Sequence, residues 1–131
     1  MRVPVISLRQ PILELILRGE KTIETRTRKV DLPKTIYLHA SMGKPWDAKV
    51  DFDIHSLPRG FILGKVDVIG RKSYTSIEEW NTDKGKHLAG LSKSMPMFGY
   101  LLQNPVRIEP ILCKGQLGLP FWVEINLLEK V

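Results

Sequence analysis

The segment 7–26 passes from a strand-like pattern into a helical one, stops at a glycine and then becomes strand-like again. Pro11 suits the first turn of a helix, where a backbone N–H has no partner within the helix. Apolar residues then recur at helical spacing, at Ile12, Leu13, Leu15, Ile16 and Leu17. Gly19 lies where a left-handed residue would end the helix. The segment therefore predicts a strand, a short helix and a second strand in immediate succession.

Three ionisable residues follow that glycine, namely Lys21, Glu24 and Arg26. If residues 22–28 form a strand, Glu24 and Arg26 point to the same face, and the long side chain of Lys21 can reach that face from the turn. A carboxylate between two cations stays ionised and orients both of them. We expect Glu24 to keep Lys21 protonated unless Lys21 is deeply buried. A solvated charged face is the alternative interpretation.

Length and composition indicate one globular domain over residues 1–131, with 43% hydrophobic and 26% charged residues. The one cysteine, Cys113, excludes an internal disulfide and a cysteine-rich zinc site. We expect a cytoplasmic protein without a signal peptide or membrane span, because the apolar runs are too short to cross a bilayer. The net charge is +6, and a basic cluster favours a polyanionic partner; it comprises Arg18, Lys21, Arg26, Arg28 and Lys29.

The rest of the chain contains further short strand patterns separated by Gly and Pro turns. Strands are predicted over 3–8, 35–40, 61–69, 106–113 and 121–128. Gly64 indicates a bulge within its strand, and Trp122 is expected in the core. Ser76 and Glu79 form a capping-box pattern at the start of a helix. Residues 84–98 are expected to form a partly helical connection, with Met95–Tyr100 as a plug under a barrel or a base-stacking lip.

Two groups of polar residues raise the question of a metal site. His39 lies in an apolar strand, where a hydrogen-bonded structural histidine is the favoured interpretation. Asp51, Asp53 and His55 alternate and would share a strand face, which could hold Mg²⁺ or Mn²⁺. A polar surface segment is the favoured interpretation, because nothing nearby in the sequence completes a coordination sphere. We therefore expect no metal and no cofactor.

The octet Gly19-x-Lys21-x-x-Glu24-x-Arg26 resembles the signature of the ASCH (ASC-1 homology) domain family, which has a PUA-like fold. Further segments resemble that family in the expected order, at residues 7–11, 36–41, 59–66 and 114–122. The resemblance implies an α+β, mainly β fold, a small PUA-like β-barrel with two or three short helices and a cleft beside the octet. Ile12 departs from the family, whose members usually carry an aromatic residue after the proline.

The leading hypothesis is that the cleft binds RNA, a nucleotide or a nucleoside. Its candidate binding residues are Arg9, Gln10, Lys21, Arg26, Ser41, Lys44 and Trp46. The cations would hold phosphates, while an aromatic side chain would stack on an unpaired base; the candidates are Trp46, Tyr74, Phe98 and Tyr100. The sequence does not indicate an oligomeric state.

Two enzymatic alternatives and one binding alternative remain open, with Lys21 and Glu24 as candidate catalytic residues. The resemblance permits ribonuclease activity, in which Lys21 would stabilise the phosphorane charge and Glu24 would act as a general base. It also permits hydrolysis of an N-acylated cytidine, as in an amidohydrolase branch of the superfamily. There the matching lysine activates a hydroxyl three residues later, and Glu24 replaces that hydroxyl here. A protein-interaction module is the third alternative.

Overall fold

The computed structural model describes residues 1–90, 95–116 and 118–126. Its strands are β1 (Arg2–Leu8), β2 (Ile23–Arg26), β3 (Thr35–Ala40), β4 (Phe61–Tyr74), β5 (Met97–Leu112) and β6 (Phe121–Glu124). Its helices are α1 (Ile12–Leu17), α2 (Ile77–Thr82) and α3 (Lys84–His87), and Ile54–Ser56 form a 3₁₀ turn. Within the described ranges, no helix is long and apolar enough to span a bilayer.

The six strands form one curled sheet in the order β2-β5-β4-β3-β1-β6. Strands β1 and β3 pair in parallel, and the other neighbours pair antiparallel. The predicted mainly β, PUA-like architecture with short helices is confirmed. The sheet ends in two edge strands, β2 and β6, rather than closing into a complete barrel.

Both faces of the central strands are buried, which explains the continuous apolar runs of β1 and β3. Successive side chains of a strand point to opposite faces. Ile6 and Leu8 therefore pack in one cluster with the apolar side of α1. Val5 and Tyr37 lie on the opposite face, in a second cluster that includes Phe121.

Several strand predictions match the structure, while two strands are longer than predicted. The predicted strand 35–40 coincides with β3, and Gly64 lies at a register shift between β4 and β5. β4 extends to Tyr74 because its last residues pair with the start of β5. Met97–Tyr100 therefore belong to β5 and do not form a separate plug or lip. Residues 127 and 128 of the last predicted strand lie outside the described residues.

Two further predictions have clear outcomes. Ser76 caps α2, because its Oγ accepts the N–H of Glu79 at 3.2 Å. Trp122 is not a core residue: it is 46% exposed, since it alternates along β6 with the buried Phe121.

Candidate functional site

The octet borders a cleft of about 430 Å³, a volume typical of small-molecule sites. The cleft lies between the end of β1, α1, β2 and the segment after α3. Its polar lining comes from Ser7, Arg9, Lys21, Glu24, Thr25 and Arg26, and its larger apolar lining residues are Leu8, Ile12, Leu15, Trp46 and Leu88. A second cavity of about 1150 Å³ adjoins it and shares Leu15, Trp46 and Leu88.

The sharp exit from α1 places the charged residues at this cleft. Gly19 adopts a left-handed conformation with φ of +77°. The backbone N–H groups of Glu20 and Lys21 then both bond to the carbonyl of Leu15, at 3.0 and 3.1 Å. These bonds satisfy the end of the helix and turn the chain directly into β2. Lys21 therefore lies at the base of the cleft.

Glu24 links the two cations, as the sequence predicted. Its Oε1 lies 3.5 Å from Lys21 Nζ, and its Oε2 lies 3.1 Å from an Arg26 guanidinium nitrogen. Lys21 and Glu24 are buried, whereas the Arg26 side chain is 30% exposed. Arg26 is therefore the member of this charged triad that a ligand can reach most readily.

The burial of Lys21 is deeper than the sequence indicated. Its side chain is 4% exposed, and its Nζ donates to the backbone carbonyl of His87. Desolvation lowers the pKa of Lys21 and outweighs the opposing effect of the Glu24 carboxylate, and the Arg26 charge lowers it further. The shift is therefore opposite in direction to the one that Glu24 alone would produce.

Two other predicted binding residues line the cleft. Arg9 is exposed, and its Nε donates to the carbonyl of Lys44 at 2.8 Å. Trp46 is half-buried, and its backbone N–H bonds to the carbonyl of Gln10 at 2.7 Å. These contacts hold the loop of residues 41–46 against the end of β1.

The remaining predicted residues do not belong to the lining. Gln10 is fully buried: its amide oxygen accepts the N–H of Glu14 and its amide nitrogen donates to the carbonyl of Pro58, both at 3.1 Å. The side chain that we predicted to contact a ligand is therefore hydrogen-bonded within the protein, to the first turn of α1 and to Pro58. Ser41 bonds through its N–H to the Leu8 carbonyl, and Lys44 is exposed beyond the cleft.

Two of the aromatic candidates for base stacking are buried. Tyr74 is 0% exposed and donates its hydroxyl to Asp83 at 2.6 Å. Tyr100 is 1% exposed, and its hydroxyl accepts the N–H of Val30 at 2.7 Å. Phe98 lies in β5 and does not line the cleft. Trp46 is therefore the one of the four that lies at the cleft.

Sequence reasoning did not identify the role of residues 83–89. His87 is buried and stacked on Trp80, with ring centroids 3.9 Å apart. Its Nε2 donates to the carbonyl of Trp80 at 2.9 Å, and its Nδ1 accepts the N–H of Ala89 at 3.0 Å. The backbone carbonyl of His87 accepts the hydrogen bond from Lys21 Nζ. The unusual length of the 84–98 connection was the one available signal.

Asp83 fastens this segment to β4. Its carboxylate accepts hydrogen bonds from Lys72 and Tyr74 and lies 3.9 Å from Lys86 Nζ. The hydrogen bonds from Lys72 and Tyr74 lower the pKa of Asp83. Asp53 caps the 3₁₀ turn, because its side chain accepts the N–H of His55 at 3.0 Å.

Comparisons with known proteins place this geometry in a wider context. The family model of the ASCH domain matches residues 6–111. The crystal structure of ASCH from Zymomonas mobilis is 22% identical with a TM-score of 0.59, and the match covers 82% of this chain and 71% of that one. A serine-to-alanine variant of ZmASCH from the same organism is 21% identical with a TM-score of 0.60, covering 82% and 72%. At these identities the similarity establishes the fold, and no protein of curated function matches.

Proposed function

This protein belongs to the ASCH domain family, whose members generally bind RNA, and we propose that its cleft binds an unpaired nucleotide of RNA or a free nucleotide. The observation that carries this proposal is the combination of a half-buried tryptophan with two accessible arginines around one small cavity. A cavity of about 430 Å³ suits a single nucleotide and is too small for a duplex.

Each part of a nucleotide has a chemically suitable partner in the cleft. The indole of Trp46 offers a flat surface on which a base stacks, and such stacking does not require a particular base. Arg9 and Arg26 carry guanidinium groups, which bind phosphate oxygens in a bidentate manner. Lys21 neutralises Glu24 beneath them, so the buried carboxylate does not repel a phosphate strongly.

Exposed cations beyond the cleft support binding of a longer strand. Arg28 and Lys29 are exposed just after β2, and Lys44 is exposed near Arg9. Phosphates on either side of a nucleotide held in the cleft would therefore meet positive charge. The net charge of +6 adds a sequence-independent attraction.

A tryptophan substitution tests the proposal most directly. Trp46→Ala should weaken binding of a short fluorescent single-stranded RNA by about 5- to 150-fold in anisotropy titrations, because loss of one stacking contact costs about 1–3 kcal/mol. Trp122→Ala is the matched control, since that indole is exposed on β6 and does not line the cleft. Equal affinities of Trp46→Ala and the unchanged protein would refute the proposed site.

Hydrolysis of an N-acylated cytidine is the second candidate function. It is favoured by the burial of Lys21, which lowers the pKa of that lysine and brings it closer to one suited to proton transfer. Incubation with N-acylated cytidine and RNA, followed by mass spectrometry, separates this activity and ribonuclease activity from binding alone. Protein interaction becomes the leading alternative if neither binding nor turnover is detected.

A further inference from the structure

A serine–histidine pair joins the cleft to the apolar cluster on the other face of the sheet. Ser7 and His39 are register partners in the parallel pair of β1 and β3. Ser7 Oγ lies 2.7 Å from His39 Nδ1. Ser7 is partly exposed and lines the cleft, whereas His39 is 2% exposed.

The second ring nitrogen of His39 determines the direction of this hydrogen bond. His39 Nε2 lies 2.8 Å from the carbonyl oxygen of Cys113. A carbonyl oxygen only accepts hydrogen bonds, so Nε2 carries a proton. In the neutral ring, Nδ1 is then unprotonated and accepts the hydroxyl proton of Ser7. The structure therefore places a basic nitrogen directly on the serine proton.

The surroundings hold the imidazole in this orientation. The ring of Phe121 meets it edge-on, with ring centroids 6.1 Å apart. Gly115 packs closely beside it, because a Cβ atom there would lie 3.3 Å from His39 Cε1. A base whose tautomer and ring plane are both fixed, hydrogen-bonded to the hydroxyl of a serine that lines a cavity, is the arrangement that activates serine nucleophiles.

We propose that Ser7 and His39 form a nucleophile–base pair that acts on a carboxylic ester or amide bound in the cleft. An acyl group suits this pair because acyl transfer uses an enzyme hydroxyl as the attacking atom, whereas RNA cleavage through a 2′-hydroxyl does not need one. The proposal goes beyond nucleotide binding and does not depend on it.

The reaction balances with water as the second substrate. Ser7 Oγ forms a bond to the carbonyl carbon while its proton passes to His39 Nδ1. The bond from that carbon to the leaving amine or alcohol then breaks, and the leaving group takes the proton from Nδ1. Water attacks the acyl-serine with His39 again as the base, releasing the carboxylic acid and restoring the Ser7 hydroxyl. The Cys113 carbonyl bonds to Nε2–H throughout and stabilises the transient imidazolium.

Labelling with a fluorophosphonate probe, followed by peptide mass spectrometry, tests the pair. The probe should form a covalent phosphonyl adduct at Ser7 with loss of fluoride. Ser7→Ala should remove that adduct, and Ser73→Ala should leave it unchanged because Ser73 is exposed on β4 outside the cleft. His39→Gln can still donate to the Cys113 carbonyl but has no basic nitrogen, so labelling should slow about 100-fold.

The outcomes separate an activated serine from a hydrogen bond that only stabilises the fold. Absence of an adduct at Ser7 in the unchanged protein, or equal labelling rates of His39→Gln and the unchanged protein, overturns the proposal. If circular dichroism shows that His39→Gln does not fold, the test uses the labelling rates of Ser7 and Ser73 in the unchanged protein. The proposal is then overturned if Ser7 reacts with the probe no faster than Ser73 does. RNA anisotropy on the same sample reports nucleotide binding separately, so one proposal can fail without the other.

Discussion

At the residue scale, Lys21 is the charged residue of the cleft whose surroundings are least like those of a charge on the protein surface. It is enclosed between the Glu24 carboxylate and the His87 carbonyl, on a turn that Gly19 makes possible. A buried cation next to a carboxylate combines two opposing influences on its pKa, and desolvation is the stronger here. Substitutions at Lys21 and Glu24 therefore report both on the ligand and on the charge balance of the cleft.

Exchanges that preserve shape or charge distinguish binding from proton transfer. Glu24→Gln should leave RNA affinity unchanged or tighten it a few-fold, because it removes a negative charge beside the bound phosphates. Lys21→Arg should retain most of the affinity, since guanidinium stays charged. A detected product whose formation disappears in Lys21→Arg, while anisotropy shows unchanged affinity, would move the protein into the enzyme class.

The lowered pKa of Lys21 predicts how the free energy of unfolding changes with pH. At pH values between the lowered pKa of the folded state and the ordinary value of 10.5, Lys21 binds more protons in the unfolded chain than in the folded chain. Stability then rises with pH across that window. Lys21→Met removes this contribution, so urea titrations at increasing pH towards 10.5 should show the unchanged protein gaining stability relative to the variant. Parallel pH curves would contradict the pKa shift.

At the element scale, Gly64 allows α1 to pack against the bulged region of β4 and β5. A Cβ atom there would lie 2.5 Å from Leu17 Cδ2 and 2.6 Å from the carbonyl oxygen of Val106. The leucine side chain can move, but the strand backbone cannot do so without breaking its pairing. Gly64→Ala should therefore destabilise the protein by about 1–3 kcal/mol in urea unfolding.

Gly85→Ala is the matched control for that substitution. Gly85 lies in α3, and beyond its chain neighbours and the backbone of its own helix no described atom lies within 4 Å of its Cβ position, so alanine should be neutral or stabilise by up to about 1 kcal/mol. A loss of stability equal to that of Gly64→Ala would show that steric contact at Gly64 is not the cause.

The carboxylate of Asp83 joins the segment of α2 and α3 to β4 by hydrogen bonds, in addition to the ring contacts of Tyr74 with Trp80 and His87. Because the pKa of Asp83 is lowered, its contribution to stability is present above the ordinary value of 3.8 and is lost as pH falls through the folded-state pKa. Asp83→Asn should cost about 1.5–3 kcal/mol at pH 7, since charged hydrogen bonds are lost. In urea titrations, the stability difference between the two proteins should shrink towards pH 3. A constant difference would mean that Asp83 acts through shape alone.

At the scale of the whole molecule, the net charge and the exposed cations around the cleft should determine how the affinity for RNA changes with salt concentration. If about three to five phosphates are neutralised, log affinity for single-stranded RNA should fall linearly with log salt, with a slope of about −2 to −4. Anisotropy at several salt concentrations measures that slope. Affinity that barely changes with ionic strength would favour an uncharged nucleoside or a protein partner instead.

Local chemistry was sufficient to predict much of this molecule from its sequence. Pro11 and Gly19 bracket α1, and β-branched and apolar residues from Thr35 to Ala40 indicate β3. The Glu24–Arg26 contact follows from strand alternation, because residues two apart share a face. These features depend on neighbours along the chain, so no knowledge of the tertiary fold was needed.

Only the tertiary structure determined how deeply those residues are buried and what they contact. Lys21 donates a hydrogen bond to the carbonyl of His87. The side chain of Gln10 is hydrogen-bonded to the first turn of α1 and to Pro58, and Ser7 is hydrogen-bonded to His39 across the parallel pair of β1 and β3. His87, Pro58 and His39 are distant in sequence from the residues that they contact, and no local pattern specifies which atoms will surround a given side chain. Burial then sets the pKa of Lys21, because desolvation depends on everything packed around a charge and not only on the nearest opposite charge.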